Sequence, residues 1–184
     1  KKIIFFIKKK LNINCTELKE LKLDKLIKIK VNRKQIGSDR LSNAISVIDN
    51  KNNYVIVDFG TATTFDVIIK NNYLGGIIAP GVNLSLNTLI SKASLIPSLA
   101  LTSVNKVLGK NTKSAVKSGF YWGYAGLIDN VIKKIIYQTN NKYKIIFTGG
   151  LSHLFKKTIG AKVKIDRDLT IKGLLKVIHL LKQK

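Results

Sequence analysis

A turn rich in hydroxyl groups, between two apolar runs, is the part of the sequence best suited to chemistry. The first apolar run, 54–58, ends in Asp58, Gly60-Thr61-Ala62-Thr63-Thr64 follows, and a second apolar run begins at Phe65. Small residues let backbone N–H groups approach a phosphate, and the threonine hydroxyls add donors. The carboxylate at the strand end can hold a cation that offsets phosphate charge. An ordinary hairpin whose turn is capped by Asp58 fits the same residues, so both interpretations stay open.

A second polar segment, Ile36-Gly37-Ser38-Asp39-Arg40, places a carboxylate beside a guanidinium. An ion pair between Asp39 and Arg40 is the simpler interpretation, and the spacing alone favours it. In the functional interpretation, Asp39 accepts a proton from a substrate hydroxyl, and Arg40 holds a carboxylate through two parallel N–H donors. Gly37 would then let the substrate lie against bare backbone.

Three further segments combine small or hydroxyl residues with predicted element ends: 74–81, Asn111-Thr112, and Thr148-Gly149-Gly150. The small residues of 74–81 allow a ligand or another backbone to approach a strand end. Thr112 is either a helix N-cap or a hydroxyl that points at a ligand. Gly149 and Gly150 either pack against a nucleotide or form a plain turn between a strand and a helix.

The hydrophobic pattern predicts the elements that position these residues. Before a turn-rich break at 50–53, it indicates a helix at 1–11, a half-buried strand at 26–31 and a helix at 41–48. After the break the predicted order is as follows: strands 54–58, 63–70 and 73–78; helix 82–94; a connection, 95–112, with room for one strand; helix 113–139; strand 143–147; helix 151–157; strand 163–165; helix 170–181.

Three meandering strands followed by alternating helices and strands predict an α/β fold, a mixed sheet with helices on its faces. This is the order of the ribonuclease-H-like domain of the actin, sugar-kinase and Hsp70 superfamily. We therefore expect residues 50–184 to form a complete C-terminal domain of this kind. Residues 1–49 would be a partial N-terminal domain.

Composition limits the classes of partner. The chain has 184 residues, 45% of them hydrophobic, and a formal net charge of +23. Almost all of the positive charge is lysine spread along the chain, which favours a solvated surface over a dedicated nucleic-acid face. No apolar run is long enough to cross a membrane. The single Cys15 fits a reducing compartment, so we expect a cytoplasmic protein.

Taken in order, these segments resemble type III pantothenate kinases. The matching segments are Gly37-Ser38-Asp39-Arg40, the turn from Asp58 to Thr64, Gly75 to Gly81, Asn111-Thr112, Thr148-Gly149-Gly150, and Leu169-Thr170 with Gly173-Leu174. Each is short, but the ordered set is specific and covers about 26–181. The resemblance implies ATP-dependent phosphorylation of pantothenate to 4'-phosphopantothenate, the first step of coenzyme A biosynthesis, by a homodimer that uses Mg²⁺ and a monovalent cation, K⁺ or NH₄⁺.

The resemblance also implies roles for individual residues. Asp39 would be the catalytic base, and Asp58 would hold the monovalent cation. The remaining residues fall into two groups: Gly37, Ser38, Asp39, Arg40 and Thr112 would contact pantothenate, Thr112 near or across the dimer interface; Gly60, Thr61, Thr63, Gly149 and Gly150 would contact ATP.

Two departures from the family pattern limit these expectations. Lys30 stands where the family has an aromatic residue, which puts one wall of the pantothenate pocket in doubt. Residues 1–25 contain no Asp-x-Gly-Asn-Thr phosphate loop, and the chain has no methionine. We therefore expect an N-terminally truncated copy that does not turn over ATP efficiently by itself. The alternative is a non-catalytic regulatory or nucleic-acid-binding relative on the same fold; another kinase of the superfamily, acting on a sugar or a small acid, also stays open.

Overall fold

The computed structural model describes residues 2–182, and the order of its main elements follows the predicted one. The helices and strands are α1 (Lys2–Leu11), β1 (Lys28–Ile29), α2 (Ser38–Val47), β2 (Asn53–Phe59), β3 (Ala62–Ile69), β4 (Asn72–Pro80), α3 (Val82–Lys92), α4 (Thr112–Thr139), β5 (Lys144–Gly149), α5 (Ser152–Phe155), β6 (Val163–Ile165) and α6 (Leu169–Lys182). Within the described residues, the connection between α3 and α4 contains no strand, whereas the prediction allowed for one there.

Several boundaries differ from the prediction: the strand predicted at 26–31 is only Lys28–Ile29, and the helix predicted at 151–157 is only Ser152–Phe155. Two further differences have local reasons. Helix α2 begins at Ser38, three residues before the predicted start, because Gly37 is the extended N-cap residue and the polar residues after it are already helical. The β3–β4 hairpin turns at Lys70 and Asn71, one residue earlier than predicted. Lys70 takes the left-handed conformation there, with φ of 55°.

The strands form one mixed sheet in the order β1-β4-β3-β2-β5-β6. Strands β2, β3 and β4 are antiparallel neighbours, as hairpin connections require. Strands β5 and β6 add in parallel to the other side of β2, each after a helical connection. This arrangement confirms the predicted mixed sheet with flanking helices.

The two faces of the sheet are covered by different helices. On one face, α4 packs its buried Tyr121, Ala125 and Ile128 against apolar side chains of β2, β3 and β5. On the other face, α2 and α6 cover the residues that alternate with those side chains, such as Ile56 and Ile68. Because successive strand residues point to opposite faces, each strand contributes to both cores.

Helix α6 fixes α2 on its face of the sheet. Gly173 of α6 lies so close to α2 that an added Cβ would meet the carbonyl oxygen of Ser42. The Ser42 hydroxyl donates to the Thr170 carbonyl at 2.7 Å, and the Lys176 ammonium donates to the Ser46 and Ile48 carbonyls at the end of α2. The domain division at residues 49 and 50 stays a prediction; α2 lies before that point and shares its core with β2 and β3.

We find no helix in the described part of the chain that combines the length and the apolar character needed to cross a membrane.

Candidate active site

Three polar side chains of the two central strands lie on the face that α2 covers. Asp58 of β2 stands opposite Thr64 of β3, and Asp66 follows two residues after Thr64. Thr148 of β5 is the partner of Asp58 on the other side. Strand alternation therefore places a short row of carboxylates and hydroxyls on one face, toward the end of β2 that leads into the glycine turn.

Asp39 lies in the first turn of α2, two residues after the N-cap Gly37. The positive end of the helix dipole favours a carboxylate at this place. A Cβ at Gly37 would clash with Oδ1 of Asp39, so the bare glycine gives the carboxylate its room. The charge of Asp39 also reaches Asp58, where it helps to raise the pKa of that carboxyl. The two carboxylates predicted for the base and the cation therefore lie within electrostatic range of each other.

Asp58 is held by a short chain of hydrogen bonds that begins on α6. The Thr170 hydroxyl donates to Oδ1 of the buried Asn43 at 2.7 Å. The Asn43 amide then donates to Oδ2 of Asp58 at 2.9 Å. Burial raises the pKa of Asp58, the Asn43 hydrogen bond opposes this, and the Asp39 charge adds to it. Sequence analysis did not predict a role for Asn43, because an Asn inside a helix carries no signal of its target.

Arg40 pairs with a different carboxylate from the one that the sequence suggested. Its Nε donates to Oδ1 of Asp66 at 2.9 Å, and its Nη2 lies 2.6 Å from the same oxygen as an ion pair. The simpler interpretation, an ion pair with Asp39, is therefore wrong: the ion-pair partner in the described chain is Asp66. Asp66 was missed, although its spacing of two from Thr64 on a predicted strand already placed both on one face.

The turn after β2 opens onto a cavity at the same edge of the sheet. The cavity has a volume of about 570 Å³, and Gly60, Thr61 and Gly150 are among its lining residues, with Asn83 and Leu84 of α3. Gly149 has a positive φ of 85°, and a Cβ on it would lie 2.7 Å from Oδ1 of Asp58. The structure thus brings the turn, the β5 glycines and Asp58 together.

Two predicted residues are not part of this group. Thr63 is fully buried on the opposite face of β3, the face that α4 covers, where its register partners are Phe59 and Ala79. Thr112 is the exposed first residue of α4, and it is not among the residues that line the cavity at the glycine turn. Asn111 caps this helix by accepting from the Ser114 N–H, which makes the N-cap interpretation of Thr112 wrong.

Asp58 and its strand neighbours Thr64 and Thr148 carry side-chain oxygen atoms, the ligands that hard cations prefer. The Thr64 hydroxyl is buried and has no hydrogen-bond partner, so it is free to join Asp58 as a ligand. In residues 2–182 we find no cluster of three or more His, Cys, Asp or Glu side chains suited to a metal. This donor set therefore fits a weakly held monovalent cation, and a divalent ion would need further oxygens from phosphate.

Comparison with known proteins connects this site to one family. The family model for type III pantothenate kinase matches residues 1–134. A type III pantothenate kinase from Pelagibacter ubique is 61% identical over 177 residues, covering 96% of this chain and 71% of the relative. The one from Rhodospirillum rubrum is 45% identical over 147 residues, covering 79% of this chain and 57% of its own length. The chain thus spans between about half and three quarters of these relatives.

Solved structures agree on the fold. A protein described as a Baf family transcriptional activator, from Campylobacter jejuni, superposes with a TM-score of 0.66 at 22% identity, covering 100% of this chain and 80% of its own. A 2-dehydro-3-deoxygalactonokinase from Sinorhizobium meliloti gives 0.59 at 9% identity, covering 78% and 59%. At these identities the likeness concerns the fold alone, and it includes the architecture of a sugar kinase.

Proposed function

Because the chain belongs to the type III pantothenate kinase family, we propose that its protein transfers the γ-phosphoryl group of ATP to the hydroxyl of pantothenate. The product is 4'-phosphopantothenate, the first intermediate on the way to coenzyme A. One observation carries the proposal beyond family membership: Asp39 has no ion-pair partner in the part of the chain that the structure describes, because its neighbour Arg40 is bound to Asp66. A carboxylate that is not tied to a guanidinium has its oxygens available for a proton.

In the proposed reaction, Asp39 accepts the proton of the pantothenate hydroxyl as its oxygen attacks the γ-phosphorus. The bond between that phosphorus and the oxygen bridging to the β-phosphate breaks, and ADP leaves with its electron pair. Catalysis of this kind depends mainly on position and on neutralised charge. Asp39 contributes to the first need from the first turn of α2, where the Gly37 carbonyl accepts a helix hydrogen bond from the Leu41 N–H at 3.1 Å.

The phosphate end of the proposed site is the cavity at the glycine turn. Gly60, Thr61 and Gly150 line it, which suits backbone and hydroxyl donors to phosphate oxygens. Asp58 and the buried Thr64 hydroxyl would hold K⁺ or NH₄⁺, and Mg²⁺ would come with the nucleotide. When bound, these cations supply positive charge beside the phosphates. Gly149 keeps the space next to Asp58 open, because any side chain there would meet its carboxylate.

The acceptor end of the proposed site lies at α2. Gly37 and Ser38 begin the helix, and Arg40 is the cation nearest to Asp39 in sequence, so a substrate carboxylate has a partner there. The proposal includes Thr112 as a pantothenate contact near or across the interface of a homodimer. An apolar groove of about 460 Å³ between α3 and α4, with Leu89, Phe120 and Leu127 among its lining residues, suits that contact. We place the reaction in the cytoplasm, where ATP is available.

The experiment is a steady-state assay of ADP release, with pantothenate and ATP, on the protein expressed at full length. We expect Asp39→Asn to lower kcat by about 10²- to 10⁴-fold, since a general base contributes this much. The matched control is Asp129→Asn, the same change in an exposed ion pair with Lys133 on α4, and it keeps wild-type turnover. Full activity in the Asp39 variant would exclude the assigned base. Absence of activity in the wild-type protein, with pantothenate binding also absent, would favour the non-catalytic alternative.

A further inference from the structure

Asp66 is a fully buried carboxylate in the middle of β3. Its Oδ1 receives hydrogen bonds from Arg40 Nε at 2.9 Å and from the Tyr73 hydroxyl at 2.6 Å. Its other oxygen, Oδ2, is buried without a hydrogen-bond partner. Burial raises the pKa of this carboxyl, and the Arg40 guanidinium is the strongest influence that opposes the rise. Asp66 therefore depends on Arg40 for its charge, and the two form one unit.

The Arg40 guanidinium lies against a glycine of the sheet. Gly76 is the register partner of Asp66 on β4, and a Cβ built on it would meet the Phe65 carbonyl oxygen first and would also lie 2.5 Å from Nη2 of Arg40. Arg40 therefore extends across a position without a side chain to reach Asp66. Nε and Nη2 face Asp66, which leaves Nη1 as the guanidinium nitrogen not committed to it.

Two other carboxylates lie near this ion pair. Asp39 precedes Arg40 in the chain; burial lowers the pKa of Arg40, Asp66 raises it, and the charge of Asp39 adds to the rise. Asp58 lies on the same face as Asp66, two residues along β2 from Ile56, which is the register partner of Asp66. Arg40 nevertheless pairs with the most deeply buried carboxylate of the three. A buried ion pair is seldom the most stabilising choice, since apolar residues of similar volume often serve as well. The pair is therefore better explained by what it does to the site.

We propose that Asp66 is a positioning residue, which holds the Arg40 guanidinium across Gly76 and away from Asp39. This arrangement leaves the Asp39 carboxylate unpaired for proton transfer, and it presents Nη1 of Arg40 to the carboxylate of the acceptor. The inference rests on the proposed function for the identity of the acceptor. The position of the guanidinium does not depend on that identity.

The experiment compares wild type with Asp66→Asn, which keeps the shape of the side chain and removes its charge. Binding is measured by calorimetry with pantothenate and with its alcohol analogue, in which a CH₂OH group replaces the carboxylate. Wild type should bind pantothenate at least about tenfold more tightly than the analogue, as a charged hydrogen bond allows. Asp66→Asn should lose most of this discrimination, whereas the matched control Asp129→Asn should keep it. A role of Asp66 in stability alone would weaken both ligands equally.

A second measurement follows Arg40 itself. Hydrogen exchange of its Nε–H, observed by ¹⁵N NMR without any ligand, should be slow in wild type and at least about tenfold faster in Asp66→Asn. Preserved discrimination together with slow exchange in Asp66→Asn would overturn the proposal. If wild type binds no pantothenate, the proposed function fails, and the exchange rates alone decide whether Asp66 positions Arg40.

Asp66→Asn leaves Arg40 without its partner and can prevent folding. Tyr73→Phe then provides the test, because it removes one hydrogen bond to the same Oδ1 and keeps both charges. We expect a smaller loss of discrimination, about two- to fivefold, with faster exchange at Arg40. Unchanged exchange and unchanged discrimination in a folded Tyr73→Phe protein would count against the proposal.

Discussion

The two faces of the sheet use the same strands for different purposes. The face under α4 is apolar and aromatic, with Phe59 stacked on Phe155 and in edge contact with Phe147. The face under α2 carries buried polar groups between its apolar residues, among them Asp66 and Asn43. Adjacent residues of β2 and β3 supply both, so carboxylates toward α2 alternate with apolar side chains toward α4. The helices match this alternation, because α2 brings Asn43 and Arg40 to the carboxylates.

The comparison shows how a small domain can hold charges inside. Buried carboxylates need partners, and α2 supplies them as Asn43 and Arg40. Among the described residues, the α4 face holds no buried carboxylate, although the Thr63 hydroxyl is buried there, and dispersion and the hydrophobic effect stabilise its apolar side chains. We therefore expect the α4 face to contribute most of the stability and the α2 face to contribute the chemistry.

The largest expected difference in stability between the two faces is tested at two neighbouring residues of β3. Phe65 is fully buried on the α4 face, whereas the Thr64 hydroxyl is buried without a partner on the α2 face. Phe65→Ala should lower the free energy of unfolding by about 3–5 kcal/mol, through lost burial and a cavity. Thr64→Val should change it by less than about 1 kcal/mol, because no hydrogen bond is lost. Urea denaturation measures both.

Equal losses in the two variants would contradict the division of labour between the faces. A large loss at Thr64 alone would show that its hydroxyl has a partner in solution, such as an ordered water, and that the α2 face also stabilises the fold.

A second prediction concerns the contact that fixes α2. In Gly173→Ala, the new methyl group meets the Ser42 carbonyl, which is backbone and cannot move cheaply. We expect a loss of about 1–3 kcal/mol in thermal or urea unfolding, as for other overpacked contacts. Gly126→Ala on α4 is the matched control, because its added methyl meets no atom within 4 Å. The control should gain up to about 1 kcal/mol from helix propensity. A neutral result at Gly173 would mean that α6 does not set the position of α2.

Much of the architecture could be predicted from the sequence, because it depends on local patterns. The meander of β2, β3 and β4 has alternating apolar residues and turn signals at its ends, and the strand β6 was predicted at 163–165. The long helix was predicted to within one residue, although its N-cap is Asn111 and not Thr112. The predicted and observed elements differ most at β1, which was predicted at 26–31. This strand is only two residues long and pairs with β4 at the edge of the sheet. Such a short pairing depends on tertiary contacts.

The site was predicted less completely, for a physical reason. Asp39 and Asp58 were found because they stand at element ends with small neighbours. Asp66 and Asn43 lie inside elements, and only the folded arrangement shows which charges they meet. The same limit applies to Arg40, whose neighbour in sequence is not its partner in space. The roles of the predicted site residues stay predictions until the experiments above are done.

The smallest expected effect is the change in the free energy of unfolding caused by the buried charge of Asp58 on the α2 face. Burial and the Asp39 charge raise the pKa of Asp58 above its ordinary value of about 3.9. The ionised form therefore destabilises the fold at neutral pH, and the effect disappears as the pH falls through the raised pKa toward about 3.9. Asp58→Asn should be more stable than wild type at pH 7, by less than about 1 kcal/mol since the site is partly exposed to solvent.

The pH dependence of that difference tells an active-site charge from an ordinary surface charge. For Asp58→Asn, the gain over wild type should shrink between pH 7 and about pH 4. The pKa shift of Asp129 has the opposite sign, because the hydrogen bond of Asp129 with Lys133 lowers its pKa. Wild type should therefore be slightly more stable than Asp129→Asn, by an amount that stays constant from pH 7 to about pH 4 and is lost only in more acidic solution. If both differences followed the same course in urea titrations, the carboxylates of the α2 face would be no more strained than those on the surface of α4.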